Sequence, residues 1–132
     1  MSEQNNPTGK EVTGIIIAIA CVAHETLRAY SAAIGQELPA WEDAPEWMMQ
    51  STIDGVAFHL ANPKATPEDS HKNWMAQKIR AGWVHGKVKD VALKMHPSIV
   101  PYAEIDEKEK AKGYLFKSNV DTLSKIFGVE QE

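Results

Sequence analysis

The chain has 132 residues, of which 43% are apolar and 24% charged, and a net charge of −4. That length suits one domain with a modest core. The acidic balance argues against general DNA or RNA binding, which calls for a broad basic surface. Cys21 is the only cysteine, which excludes an intrachain disulfide and fits a reducing cytoplasm.

Residues 1–10 (MSEQNNPTGK) are polar and contain Asn, Pro and Gly, so they read as a flexible tail ahead of a single domain over 11–128. The run Gly14–Ala23 (GIIIAIACVA) is apolar, but about ten such residues fall short of the ~20 a membrane span needs. Lys10 is the only basic residue upstream of it, and a signal peptide wants a clearly positive start. The run therefore reads as the start of a buried helix over about 12–34, with no membrane role. Ile15, Ile19, Val22, Thr26, Tyr30 and Ala33 form one stripe, and His24 and Arg28 lie on nearly the opposite side. Gly35 is a natural stop.

A second helix is expected over 44–61. Asp43 followed three residues later by Glu46 resembles a capping pattern, with Pro45 inside the first turn. Met49, Ile53, Val56 and Leu60 make its stripe, and Asn62-Pro63 ends it. Thr66-Pro67-Glu68-Asp69 opens a third helix, expected over 67–81, with Trp74, Met75 and Ile79 together on it and Trp74 structural. Gly82 ends it. Trp83 to Val88 alternates around Gly86, the pattern of a small hairpin or extended loop. Pro97 and Pro101 exclude a helix between them. The last helix is expected over 106–127, with Phe116, Val120, Leu123 and Phe127 spaced by four, three and four, and Gly128 closing it. The fold class is thus mostly α, a compact four-helix domain. A long irregular arm or short β-hairpin lies between helices 3 and 4. Arms of that length are usually functional.

Charge singles out the same region. Between His71 and His96 there are six Lys and Arg against one acid, Asp90, a net +5 that leaves −9 for the rest of a chain of net −4. Trp74 and Trp83 sit inside the stretch. Cations beside flat rings suit an anionic, partly planar ligand such as a nucleotide, while the plainer reading is a solvated basic face over core tryptophans. Trp41 and Trp47 read as core or lid packing. Common catalytic signatures are missing: there is no Gly-rich phosphate loop and no nucleophile elbow. His24-Glu25 begins like a zinc-protease motif, but Arg28 stands where the second histidine is needed. Cys21 in its apolar run reads as inert. No catalytic residue, metal site or cofactor is expected.

Trp74, Lys78, Gly82-Trp83, His85-Gly86, Lys94, His96-Pro97 and Pro101-Tyr102 follow a pattern W-x3-K-x3-GW-x-YG…K-x-HP-x3-PY. In this they resemble the RyR domain, the repeat first named from ryanodine receptors, over a core of about 67–127. CVAHETLRAY, WEDAPEW and KGYLF extend the resemblance to about 15–127, toward the small single-domain RyR proteins of tailed phages and bacteria. His85 departs from a frequent tyrosine, Ser98 from a frequent cysteine, and Gly113 from a frequent acid. The resemblance implies a compact helical module that is not an enzyme. In free-standing microbial members it implies binding of a small ligand, with nucleotide-derived signals proposed.

The expected function is non-enzymatic binding or sequestration of a small anionic, nucleotide-like ligand in a phage or bacterial (host) cytoplasm. Trp83 and His85 would meet the planar part. Lys87, Lys89 and Lys94 would meet the anion. His96 and Tyr102 would add polar contacts, with His24 and Arg28 as candidates from the first helix. A homo-oligomer is compatible with this. A protein-docking or structural module, as in the receptor repeats, is the alternative, and an enzyme without a recognisable signature comes third. A ligand site requires the Trp, His and Lys residues to converge on a concavity, whereas a docking face spreads them on a flat surface.

Overall fold

The computed structural model describes residues 9–129. Four helices carry the fold: α1 (Gly9–Ala33), α2 (Glu46–Ala61), α3 (Pro67–Arg80) and α4 (Glu107–Phe127). Two short strands, β1 (Val84–His85) and β2 (Met95–His96), lie between α3 and α4. The mostly α class and the arm are as the sequence indicates. Of the expected tail, Gly9 and Lys10 already belong to α1, and the rest lies outside the described residues.

α1 packs on both α2 and α4, and α3 packs on α2 and α4. The Tyr30 hydroxyl donates to the Lys108 carbonyl at 2.7 Å, so the end of α1 meets the beginning of α4. The core is built from Ile19, Ala20, Val56, Leu60, Val120 and Val129, with Ile53, Phe116 and Leu123 packed against it. Full burial of each branched aliphatic among them contributes about 1.5–3 kcal/mol.

The stripe expected on α1 is displaced. Val22 is exposed, while Ala20, Ala23, His24 and Ser31 are buried beside Ile19. Contact with two helices rotates and widens the covered face, and the small side chains let the neighbouring backbones approach. α1 is long and apolar enough, by length and composition, to cross a membrane. Here its inner face is covered by the bundle.

Local chemistry sets the helix ends. At α3 the Thr66 side chain accepts from the Asp69 N–H at 3.2 Å, and the Asp69 carboxylate accepts from the Thr66 N–H at 2.9 Å. This is a reciprocal capping box with Pro67 in the first turn. Asp106 caps α4 through the Glu109 N–H at 3.0 Å. Gly128, at φ 72°, closes α4 in a Schellman arrangement, with the Val129 N–H reaching the Ser124 carbonyl at 3.0 Å. The start expected for α2 at Asp43 is not what forms. Trp41–Asp43 is a separate 3-10 turn, and Pro45 precedes the helix in extended conformation with no side-chain cap. The Glu25 carboxylate holds that turn on α1 by accepting the Trp41 N–H at 2.8 Å.

The arm pairs in parallel, Val84 with Met95 and His85 with His96, where a hairpin would be antiparallel. The chain must therefore reverse twice between the strands. The Asp90 carboxylate accepts the Leu93 N–H at 3.0 Å, an antiparallel bridge joins Asp90 and Met95, and Lys94 takes φ 55°. The Lys94 ammonium then donates to the Ala81 carbonyl at 2.9 Å, tying the turn to the end of α3.

Candidate functional site

A concavity of about 310 Å³ opens between the four helices and the arm. Its wall is a run of aromatic rings in sequential contact. Trp47 meets Trp83 at 5.5 Å between centroids, Trp83 meets His96 at 6.5 Å, and His96 meets Trp74 edge-on at 5.0 Å. Trp74 stacks on His71 at 5.6 Å, and His71 meets Tyr102 at 5.9 Å. All six rings line the cavity.

Lys78 sits at the Trp47–Trp83 end. Its residue is 8% exposed, and its ammonium lies 4.6 Å from the Trp47 ring centre and 5.2 Å from that of Trp83. Among the described residues no carboxylate is within ion-pair distance of Lys78 or Lys89. Burial, then the charge of Lys89, lowers the Lys78 pKa. Lys89 is exposed as a residue yet lines the cavity. Desolvation of its ammonium, then Lys112, lowers its pKa too. The other lining lysines are compensated. Lys112 donates to the Glu109 carboxylate at 2.9 Å and to the Gln36 amide oxygen at 2.6 Å. Lys110 faces Glu107 at 3.8 Å and lies 5.0 Å over the Tyr102 ring. Four lysines and one glutamate thus leave the lining at +3 with its histidines neutral.

The histidines are oriented by backbone. His96 Nδ1 accepts the Ser98 N–H at 3.0 Å, which places the ring proton on Nε2. Burial, then Lys89, pushes the His96 pKa down to about 4, so a neutral donor stands midway along the wall. His71 donates Nε2–H to the Val100 carbonyl at 2.8 Å, and His24 to the Pro39 carbonyl at 2.7 Å.

Of the residues expected at the site, His24, Trp83, Lys89, His96 and Tyr102 line this cavity, and His85, Lys87, Lys94 and Arg28 do not. His85 and Lys87 point to solvent. Lys94 is committed to Ala81. Arg28 pairs with Glu25 at 2.9 Å on the outer face of α1. Trp74, expected to be structural, is half-buried in the cavity wall, and Ile79, expected beside it, is 55% exposed.

Sequence reasoning missed Lys78, Trp47 and His71 as lining residues. The signal for Lys78 was present: it lies four residues after Trp74, and i,i+4 neighbours share a helix face. Trp47 carried no such signal, because its partners come from α3 and the arm. Gly113 also gains a reason. A Cβ there would stand 3.2 Å from Pro67 Cβ, where α4 crosses the start of α3 beside the cavity.

A small helical domain with one aromatic-walled, cation-bearing cavity is what fold and site define. A family model described as the RyR domain matches residues 49–129. The chain belongs to the RyR domain family. The matched stretch takes in most of α2 and all of α3, the arm and α4, and so every ring of the wall except Trp47.

Proposed function

We propose that the protein is a non-catalytic binding module for a small anionic ligand with a planar part, nucleotide-like in chemistry, in a cytoplasmic setting. The observation that carries this reading is Lys78, almost wholly buried between two tryptophans with no carboxylate beside it. A buried charge without a partner is costly, and an anionic ligand would supply the missing partner. Trp83, His96 and Lys89 converge on the same concavity, the arrangement a ligand site requires and a flat docking face does not.

Calorimetric titration with adenosine mono- and diphosphate and with cyclic mononucleotides tests the reading. Binding is expected in wild type, with a loss of about 10- to 100-fold in Lys78→Met, the scale of one charge-assisted hydrogen bond. No heat and no thermal shift with any of them would sink it. The docking alternative draws on the arm, where Val84, Val88 and Leu93 are 55%, 75% and 67% exposed. It predicts a partner that binds equally well to Lys78→Met.

A further inference from the structure

The cavity has a direction, and this narrows the class of ligand. Resting on the reading above, we infer that the site takes one aromatic ring system joined by a short linker to one anionic group. The anion lies at Lys78, between Trp47 and Trp83, with Lys89 lining the same cavity. The ring lies against Trp74, and His96 donates to the linker between them.

Three observations carry this. First, aromatic cages are the usual receptors for ligand cations, but here the protein's own ammonium already occupies the cage of Trp47 and Trp83. A cationic ligand would be repelled, and what the cage lacks is negative charge. Second, the two ends differ. Lys78, with no carboxylate within ion-pair distance among the described residues, is at the Trp47–Trp83 end, whereas Lys110 at the Tyr102 end faces Glu107, and Lys112 faces Glu109. One free anion-binding end calls for one anionic group. Third, size is restricted. His71, Trp74 and Lys78 mark the wall along α3, and seven residues of helix span about 10 Å. A volume of about 310 Å³ stands at the lower edge of the ~300–1,000 Å³ common for ligand pockets. That is room for one ring and one anion, as in a nucleoside monophosphate, and not for a cyclic dinucleotide. His96 fits the middle: Nδ1 is taken by Ser98, and no acceptor among the described residues bonds Nε2–H. It offers a donor to a sugar or linker oxygen.

Adenosine, adenosine monophosphate, ribose 5-phosphate and cyclic di-AMP are the probes, titrated into wild type, Lys78→Met and Trp74→Leu. In wild type the monophosphate should bind at least tenfold tighter than the nucleoside, the sugar phosphate and the cyclic dinucleotide. The gain from the phosphate should fall below twofold in Lys78→Met, and the gain from the ring below twofold in Trp74→Leu. Ratios of two ligands on one variant cancel partial unfolding. Should a variant fail to fold, indole N–H signals of the wild type decide. Inorganic phosphate should move Trp47 and Trp83, and adenosine should move Trp74. The reverse pattern overturns the inference. So does a cyclic dinucleotide that binds as tightly as the monophosphate, which leaves the broader anion-binding reading standing, or a phosphate gain unchanged in Lys78→Met, which removes Lys78 from both. No binding of any probe overturns both.

Discussion

His96 shows how one residue couples site chemistry to stability. Its folded pKa of about 4 lies below the ordinary 6.5, because burial and the neighbouring lysines disfavour its cation. The unfolded chain therefore binds a proton that the folded chain refuses. Stability from this group is complete above pH 6.5 and is lost as pH falls toward 4, by up to roughly 3 kcal/mol. His59 acts in the same direction. It is 1% exposed, neither ring nitrogen has a hydrogen-bond partner, and burial lowers its pKa. Urea unfolding of wild type between pH 7 and 4 should show this loss, and His96→Gln should flatten it. An unchanged slope in the variant would assign the loss elsewhere. The Ser98 N–H that holds the ring was not foreseeable, since any residue type but proline supplies that donor.

At the level of elements, the helix ends and the strand pair rest on different physics. Thr66→Ala removes half of the capping box and should cost about 1 kcal/mol, seen as a lower melting temperature with binding retained. Gly86→Ala is a different test. A Cβ there would stand 2.6 Å from Met95 Cε and 2.7 Å from Met95 Cβ. The side-chain tip can turn away, but the Cβ is fixed to the backbone, so the strands must separate. We expect a cost of about 1–3 kcal/mol. Amide exchange should rise at Val84 and Gly86, whose N–H groups bond Lys94 and His96, while far-UV circular dichroism stays helical. Protection at Val84 and Gly86 equal to wild type would contradict this. The glycine was visible in the alternation around it, but the parallel pairing was not, because strand direction depends on how the loop from 86 to 94 returns.

Across the whole molecule, the +5 of residues 71–96 sits in a chain of net −4, and the cavity lining keeps a positive balance. Affinity for an anionic ligand should fall as salt rises from about 0.05 to 0.5 M, since screening shortens the reach of the exposed lysines. A residual, salt-insensitive part should remain, because a buried pair at Lys78 is screened little. Loss of all affinity in high salt would place the anion on the surface lysines instead. The sequence alone determined what is local or periodic. The capping box and Pro67 marked α3, Asp106 and Gly128 bounded α4, the stripe of Ile53, Val56 and Leu60 faced the core, and the spacing from Trp74 to Tyr102 pointed to the family. The tertiary structure alone decided which charges point inward. Lys78 and Lys94 look alike in a list of cations, yet one is enclosed by Trp47 of α2 and Trp83 of the arm while the other closes a turn on Ala81. His24, placed by periodicity on an open face, is covered by the turn carrying Trp41. Backbone propensity is written over three or four residues, whereas the burial of a charge depends on rings brought together from distant parts of the chain.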